Sequence, residues 1–235
     1  MNSCTDNIAF PHGYKAGCND RISKYGGICP KAADRIAVIE IGNWPKMIGE
    51  INLRQRAPKP PLDQGSVGSC AWESTAGGIM TIRRVLNLPD VRLNPYFGYH
   101  TTSHGRDNGS SIDENLEFAR KYGIASQAVW PRSRGWRTEP SNEAKADALK
   151  YRIAEFYDIA SWEEFGSALL LGFPVVFGYS GHSVLATSLV DTGRFEYLNS
   201  WGQWGDEGYG VLQASKIYWP YGAFAIRTVT YDMSV

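Results

Sequence analysis

Neither sign of charge is in excess: Lys and Arg total 24, and so do Asp and Glu. A neutral chain has no field with which to gather nucleic acid or an anionic membrane, so neither is expected as a partner. No stretch has the length and apolarity of a membrane span. Residues 1–30 hold no apolar run between a basic start and a small-residue cleavage site, so no secretory signal is expected. Cysteine is scarce, at four, and no Cys-x-x-Cys pair occurs. Cys4, Cys18 and Cys29 with His12 have the donor types of a tetrahedral zinc site. Their long gaps make ordinary reduced thiols the expectation, with no metal and no cofactor. What the chain does have is apolar and aromatic content, 43% and 13% over 235 residues. That suffices for one sizeable core, or for two small lobes sharing an interface.

Residues 1–49 read as an irregular arm that could pack on the domain, block a cleft or dock on a protein partner. Its one periodic piece, Ile36 to Ile41, suits a short strand. From Cys70 a helical pattern runs through Trp72, Ile79, Ile82 and Leu86 until Leu88-Pro89 stops it. Gly77-Gly78 within that helix implies another backbone packed close by. A loop from Leu93 to Gly109 follows, with His100 and His104. Two further helices open on Ser-x-x-Glu capping boxes, Ser111 with Glu114 and Ser161 with Glu164. Between them lie a tryptophan- and arginine-rich loop over 128–140, a short helix over 142–150 and a strand over 151–159. From Pro174 onward strands dominate: 175–179, 183–190, 195–198, 209–212 and 223–231. A helical first half and a strand-rich second half make an α+β plan with two lobes.

Gln64-Gly65-Ser66-Val67-Gly68-Ser69-Cys70 is the stretch with chemistry in it. A thiol at a helix N-terminus meets the positive end of the backbone dipole, which favours the thiolate and lowers its pKa. The Gln64 amide can fold back and donate to an oxyanion. A base is still needed. Of the four histidines, His182 follows Gly181 between two strand-like segments, where a side chain can project from a sheet edge. Asn199 ends the next strand, and an antiparallel partner would return it beside His182 to hold the imidazole. Trp201 can cover that hydrogen bond. Each piece alone reads as ordinary packing or turn chemistry; their joint order carries the argument.

These segments resemble the active-site motifs of papain-like cysteine peptidases. Leu53-Arg54-Gln55, Asn108-Gly109-Ser110-Ser111, Pro174 to Phe177 and Gly205 to Tyr209 resemble further parts of that domain, so the likeness spans roughly residues 50–235. It implies a helical left lobe and a β-barrel-like right lobe with a cleft between them. It further implies Cys70 as nucleophile, His182 as base and acid, Asn199 as its orienter, and Gln64 with the Cys70 N–H as oxyanion hole. Asn108, Gly109, Ser110, Gly68 and Trp201 would meet a polypeptide substrate.

The departures from the pattern bear on specificity. Val67 stands where secreted members carry a disulfide cysteine, and Ala71-Trp72 reverses the usual order after the nucleophile. Glu73 places a negative charge one turn from the sulfur, and the link from Phe177 to His182 is short. The arm lacks the family's helical propeptide pattern. An alternative is therefore a papain-fold subunit of a larger assembly, such as a virion, with little or no peptidase activity. Either reading places the chain in the cytoplasm or in such an assembly.

Overall fold

A computed structural model describes residues 14–15 and 36–231. Helix α1 (Cys70–Val85) leaves the glycine-rich turn and is buried along almost its whole length. Its end is set by Asn87, which takes a left-handed conformation at φ 54° ahead of Pro89. Helix α2 (Tyr96–Thr102) crosses α1 at Gly98, where a Cβ would lie 2.2 Å from the Trp72 ring. Helix α3 (Ile112–Tyr122) ends on Gly123 at φ 75°, and a side chain there would strike the Ala148 carbonyl. Helix α4 (Asn142–Ala148) starts from a Ser141 cap, and α5 (Trp162–Leu170) from a Ser161 cap.

Among the described residues, the strands form two sheets. Short strand β1 (Tyr14–Lys15) runs parallel to β2 (Ser110–Ser111). The main sheet comprises β3 (Ile153–Asp158), β4 (Val175–Tyr179), β5 (His182–Leu189), β6 (Arg194–Leu198), β7 (Tyr209–Gln213) and β8 (Ala223–Val229). Its order is β3-β8-β4-β5-β6-β7, antiparallel throughout. Alternation along the strands splits the core in two. Val176, Leu185 and Ile226 face the helices around α1. Val175, Phe177, Val184 and Phe195 face α5 and Trp44. The sheet is thus covered on both faces, helices on one side and α5 with the segment before Arg54 on the other. Arg54 ties that segment to β6 and the loop before β7, pairing with Glu196 at 2.7 Å and Asp206 at 2.8 Å.

The strand-rich second half and its boundaries follow the sequence closely, and four local expectations do not. Ile36 to Ile41 forms no strand; the chain turns into a 3-10 helix over Ile41–Lys46. The reason is side-chain anchoring: the Ile39 N–H donates to Ser167 Oγ and its carbonyl accepts from the Trp44 indole. The expected loop over 93–109 contains α2, whose aromatic residues are held by packing against α1 and α3. Ser111 precedes α3 without capping it through its side chain. Ser161 does cap α5, accepting from the Glu164 N–H at 3.2 Å, while Glu164 accepts from Ala160. Gly77 and Gly78 are met by side chains of Leu185, Ile226 and Val176, not by another backbone.

Candidate active site

The stretch before α1 is fixed by its own polar groups. Gln64 is 4% exposed. Its Nε2 donates to the Val67 carbonyl at 2.8 Å, and its Oε1 accepts from Ser200 Oγ at 2.6 Å. The Gln64 N–H meanwhile donates to the Ser200 carbonyl. The bond to Val67 uses one of the two Nε2 hydrogens and leaves the other. Cys70 opens α1 as expected and is fully buried. Burial pushes its thiol up to about 12; the Ser183 and Ala71 backbone N–H groups act in the opposite direction, and Glu73 adds to the rise. This corrects the expectation of a lowered pKa: in the closed site desolvation outweighs the dipole of one helix end. A Ser74–Ser183 hydroxyl contact of 2.7 Å ties the first turn of α1 to β5.

His182 is the first residue of β5, just past a two-residue hairpin turn. Ser180 and Gly181 both take positive φ, at 48° and 76°, the backbone of a tight turn whose twist matches the strands. The short link between Phe177 and His182 is thus a direct β4–β5 hairpin. The antiparallel β5–β6 pairing brings Asn199 back beside it. His182 Nε2 donates to Asn199 Oδ1 at 2.7 Å, and the same oxygen accepts from the Ser200 N–H at 2.8 Å. An Nε2–H fixed this way leaves Nδ1 as the basic nitrogen. Trp201 stacks on the imidazole at 4.9 Å and 24°, and Trp204 packs edge-on against Trp201. The indole shields the His182–Asn199 bond from water.

The residues expected to meet substrate divide into two groups. Gly68, Gly109 and Ser110 are drawn together, while Asn108 is exposed. The Gly68 N–H donates to Asp107 Oδ1 at 2.8 Å, Tyr99 Oη donates to the same oxygen, and the Gly109 N–H donates to Tyr99 Oη at 3.1 Å. A Cβ on Gly68 would stand 3.0 Å from Asp107 and 3.1 Å from Tyr99 Oη. Ser110 is buried, accepts from Asn115 Nδ2 at 2.9 Å, and is paired with Tyr14 across β1–β2. The other histidines lie elsewhere. His100 contacts the Trp136 carbonyl and Glu139, and His104 is exposed at φ 52°. His12, Cys4, Cys18 and Cys29, the weak metal set, lie outside the described residues. Among the described residues no group of three potential metal ligands occurs, and no helix is long and apolar enough to cross a membrane.

The fold that brings this thiol and this Asn-bound imidazole to neighbouring elements is found in known proteins. The fold matches xylellain, a cysteine protease of Xylella fastidiosa, with TM-score 0.71 and 21% identity over 97% of this chain and 100% of that one. It also matches digestive procathepsin L 3 of Tenebrio molitor larval midgut, with TM-score 0.69 and 16% identity over 92% and 76% of the two chains. By sequence the chain is 27% identical to an uncharacterized peptidase C1-like protein, L477, of Acanthamoeba polyphaga mimivirus, over 70% of this chain and 69% of that protein. The chain has the papain-like fold and is similar in sequence to a peptidase C1-like protein. No protein-family model matches it.

Three features of this candidate site have no local mark in the sequence. Ser200 lies next to an expected site residue and serves as the donor that orients Gln64. Asp107 and Tyr99 join the Cys70 loop to the Gly109 loop, and nothing local in either residue signals it. Arg132 reaches Glu73 from the tryptophan- and arginine-rich loop, with Nη1 to Oε2 at 3.0 Å and Nη2 to Oε1 at 2.5 Å. Here a signal did exist: a carboxylate on a buried helix face requires a cation, and that loop is where guanidinium groups crowd.

Proposed function

We propose that this chain is a cysteine-type peptidase acting on polypeptides, with Cys70 as nucleophile and His182 as general base and acid. The observation that carries the reading is the His182 Nε2–Asn199 Oδ1 hydrogen bond beneath Trp201, on the strand against which Cys70's helix is tied. Asn199 fixes the ring so that Nδ1 can take the Cys70 proton. The sulfur then attacks a peptide carbonyl, and the oxyanion accepts from the Cys70 N–H and Gln64 Nε2. The tetrahedral intermediate collapses to a thioester as the amine leaves with the proton from His182. Water, deprotonated by His182, cleaves the thioester and frees the acid and the thiol.

Ser110 presents the backbone edge on which an extended substrate would lie. In the structure that edge is taken by Tyr14–Lys15. Peptide binding at Ser110 therefore requires the arm strand to leave.

Incubating the full chain with a diverse peptide library, beside Cys70→Ala, tests the proposal. Cleavage seen by mass spectrometry and lost in the variant is the expected result. Equal product from both proteins overturns it. A second reading, a non-cleaving papain-fold subunit of an assembly, draws support from the complete burial of Cys70. On that reading neither protein cleaves, and removing residues 1–49 abolishes assembly while the domain stays folded.

A further inference from the structure

Glu73 lies on the first turn of α1, three positions past Cys70, and its side chain has no exposed surface. Residues so spaced on a helix are neighbours, so this carboxylate faces the region where a thiolate would form. Buried charge persists only when paired. Both Glu73 oxygens are engaged by the Arg132 fork, and Oε1 also accepts from Ser69 Oγ at 2.9 Å. Arg132 is in turn seated over the Tyr96 ring, 4.1 Å from its centroid. Ser69 is the residue just ahead of Cys70, so one carboxylate both anchors the nucleophile's neighbour and threatens the nucleophile's charge.

The ionisable groups around Glu73 are Cys70 on its own helix, Arg92 on the loop after it, Tyr96 of α2, and Arg132. On the opposite side β5 and the Asn199 loop present Ser183, Asn199 and Ser200, which carry no charge, and His182 at the start of β5 is the titratable group that the proposed mechanism pairs with Cys70. Arg92 is committed elsewhere, donating to the carbonyls of Pro60 and Pro61. Arg132 is the cation in bidentate contact with Glu73.

We propose that Arg132 is a positioning residue for Cys70: it holds Glu73 as an ion pair, so that the carboxylate fixes Ser69 and the start of α1 while its charge is kept off the sulfur. The proposal rests on Cys70 being the reactive thiol. It makes a signed statement that packing alone does not. Removing Arg132 leaves a bare anion that disfavours the thiolate; removing the Glu73 charge leaves a cation that favours it; removing both cancels.

The test is the pH dependence of iodoacetamide alkylation at Cys70 in the full chain, read by peptide mass spectrometry. Arg132→Gln should raise the midpoint by about one pH unit and Glu73→Gln should lower it by about as much. The double variant should return close to wild type, and Arg132→Lys, which keeps the charge without the fork, should stay near it. Two single variants shifting in the same direction, or neither shifting, overturns the proposal. If circular dichroism shows Arg132→Gln unfolded, Glu73→Gln decides alone: a lowered midpoint supports the ion-pair role, and an unchanged or raised one refutes it. Alkylation requires no turnover, so the outcomes separate. Opposite shifts without peptide cleavage sink the peptidase reading and keep this one; cleavage without opposite shifts does the reverse. A Cys70 that resists the reagent wherever the fold persists removes the reactive thiol, and the proposal with it.

Discussion

Cys70 and His182 are secured by different forces. On the helical side, Gly68 hangs from the Asp107 carboxylate, Ser69 from the Glu73 carboxylate, and Glu73 from the Arg132 guanidinium. Charge and directed hydrogen bonds fix the loop that carries Cys70, while α1 itself lies in an apolar core. On the sheet side, His182 is placed by a hairpin register, one neutral amide and a stacked indole, above a core of aromatic rings. Apolar area and backbone ladders hold that side. Charged bonds weaken with salt and with protonation, while apolar packing responds to neither in the same way. The Cys70 loop should therefore be the part that solution conditions tune, and the packing behind His182 the part that does not respond to them.

The largest test of that contrast lies in the aromatic cluster. Phe165 is fully buried and meets Phe177, Phe195 and Trp162. Phe165→Ala should cost about 3–5 kcal/mol in urea unfolding, with a loss insensitive to salt. Next is Asp107→Ala, which strands the Gly68 N–H and the Tyr99 hydroxyl together. It should cost about 2 kcal/mol and speed amide exchange at Gly68 and Gly109 without changing it along β5. Equal acceleration at both sites would dissolve the distinction between the two sides. Trp201→Ala should be smaller, lowering kcat by about tenfold, roughly 1.4 kcal/mol, through a wetted His182–Asn199 bond. A stronger effect at high salt would contradict its apolar role.

The smallest effect vanishes at neutral pH. Burial raises the Cys70 thiol from the ordinary 9.0 to about 12 in the folded chain. The folded state therefore favours the protonated thiol. That contribution to stability is complete below pH 9, and is lost as pH rises through the window up to about 12. Cys70→Ala should flatten the fall in unfolding free energy across that window and leave its pH dependence between 6 and 8 unchanged, which urea titrations at fixed pH would show.

The second half of the chain was legible because its strands alternate and its turns are marked by glycine and aspartate, both local signals. His182 and Asn199 were legible for the same reason: a hairpin and the next strand fix their approach within one antiparallel register. The segment 36–41 was misread, because an apolar run specifies burial and not the partner that provides it. Its conformation followed from Ser167 and Trp44. The Ser111–Glu114 box failed and the Ser161–Glu164 box held, although the two patterns are the same. Only the surroundings differ, since Ser111 is engaged in β2 on the way into α3.

By itself, then, the sequence determined the α+β plan, the helix that begins at Cys70, and the imidazole and amide that meet across β5 and β6. Periodicity and turn chemistry act over a few residues and need no tertiary partner. The tertiary structure decided the protonation preference of Cys70, the pairing of Glu73 with Arg132, the Asp107 link and the Tyr14–Ser110 contact. Those depend on desolvation and on charges brought together from distant segments, and both arise only when the chain has closed around them.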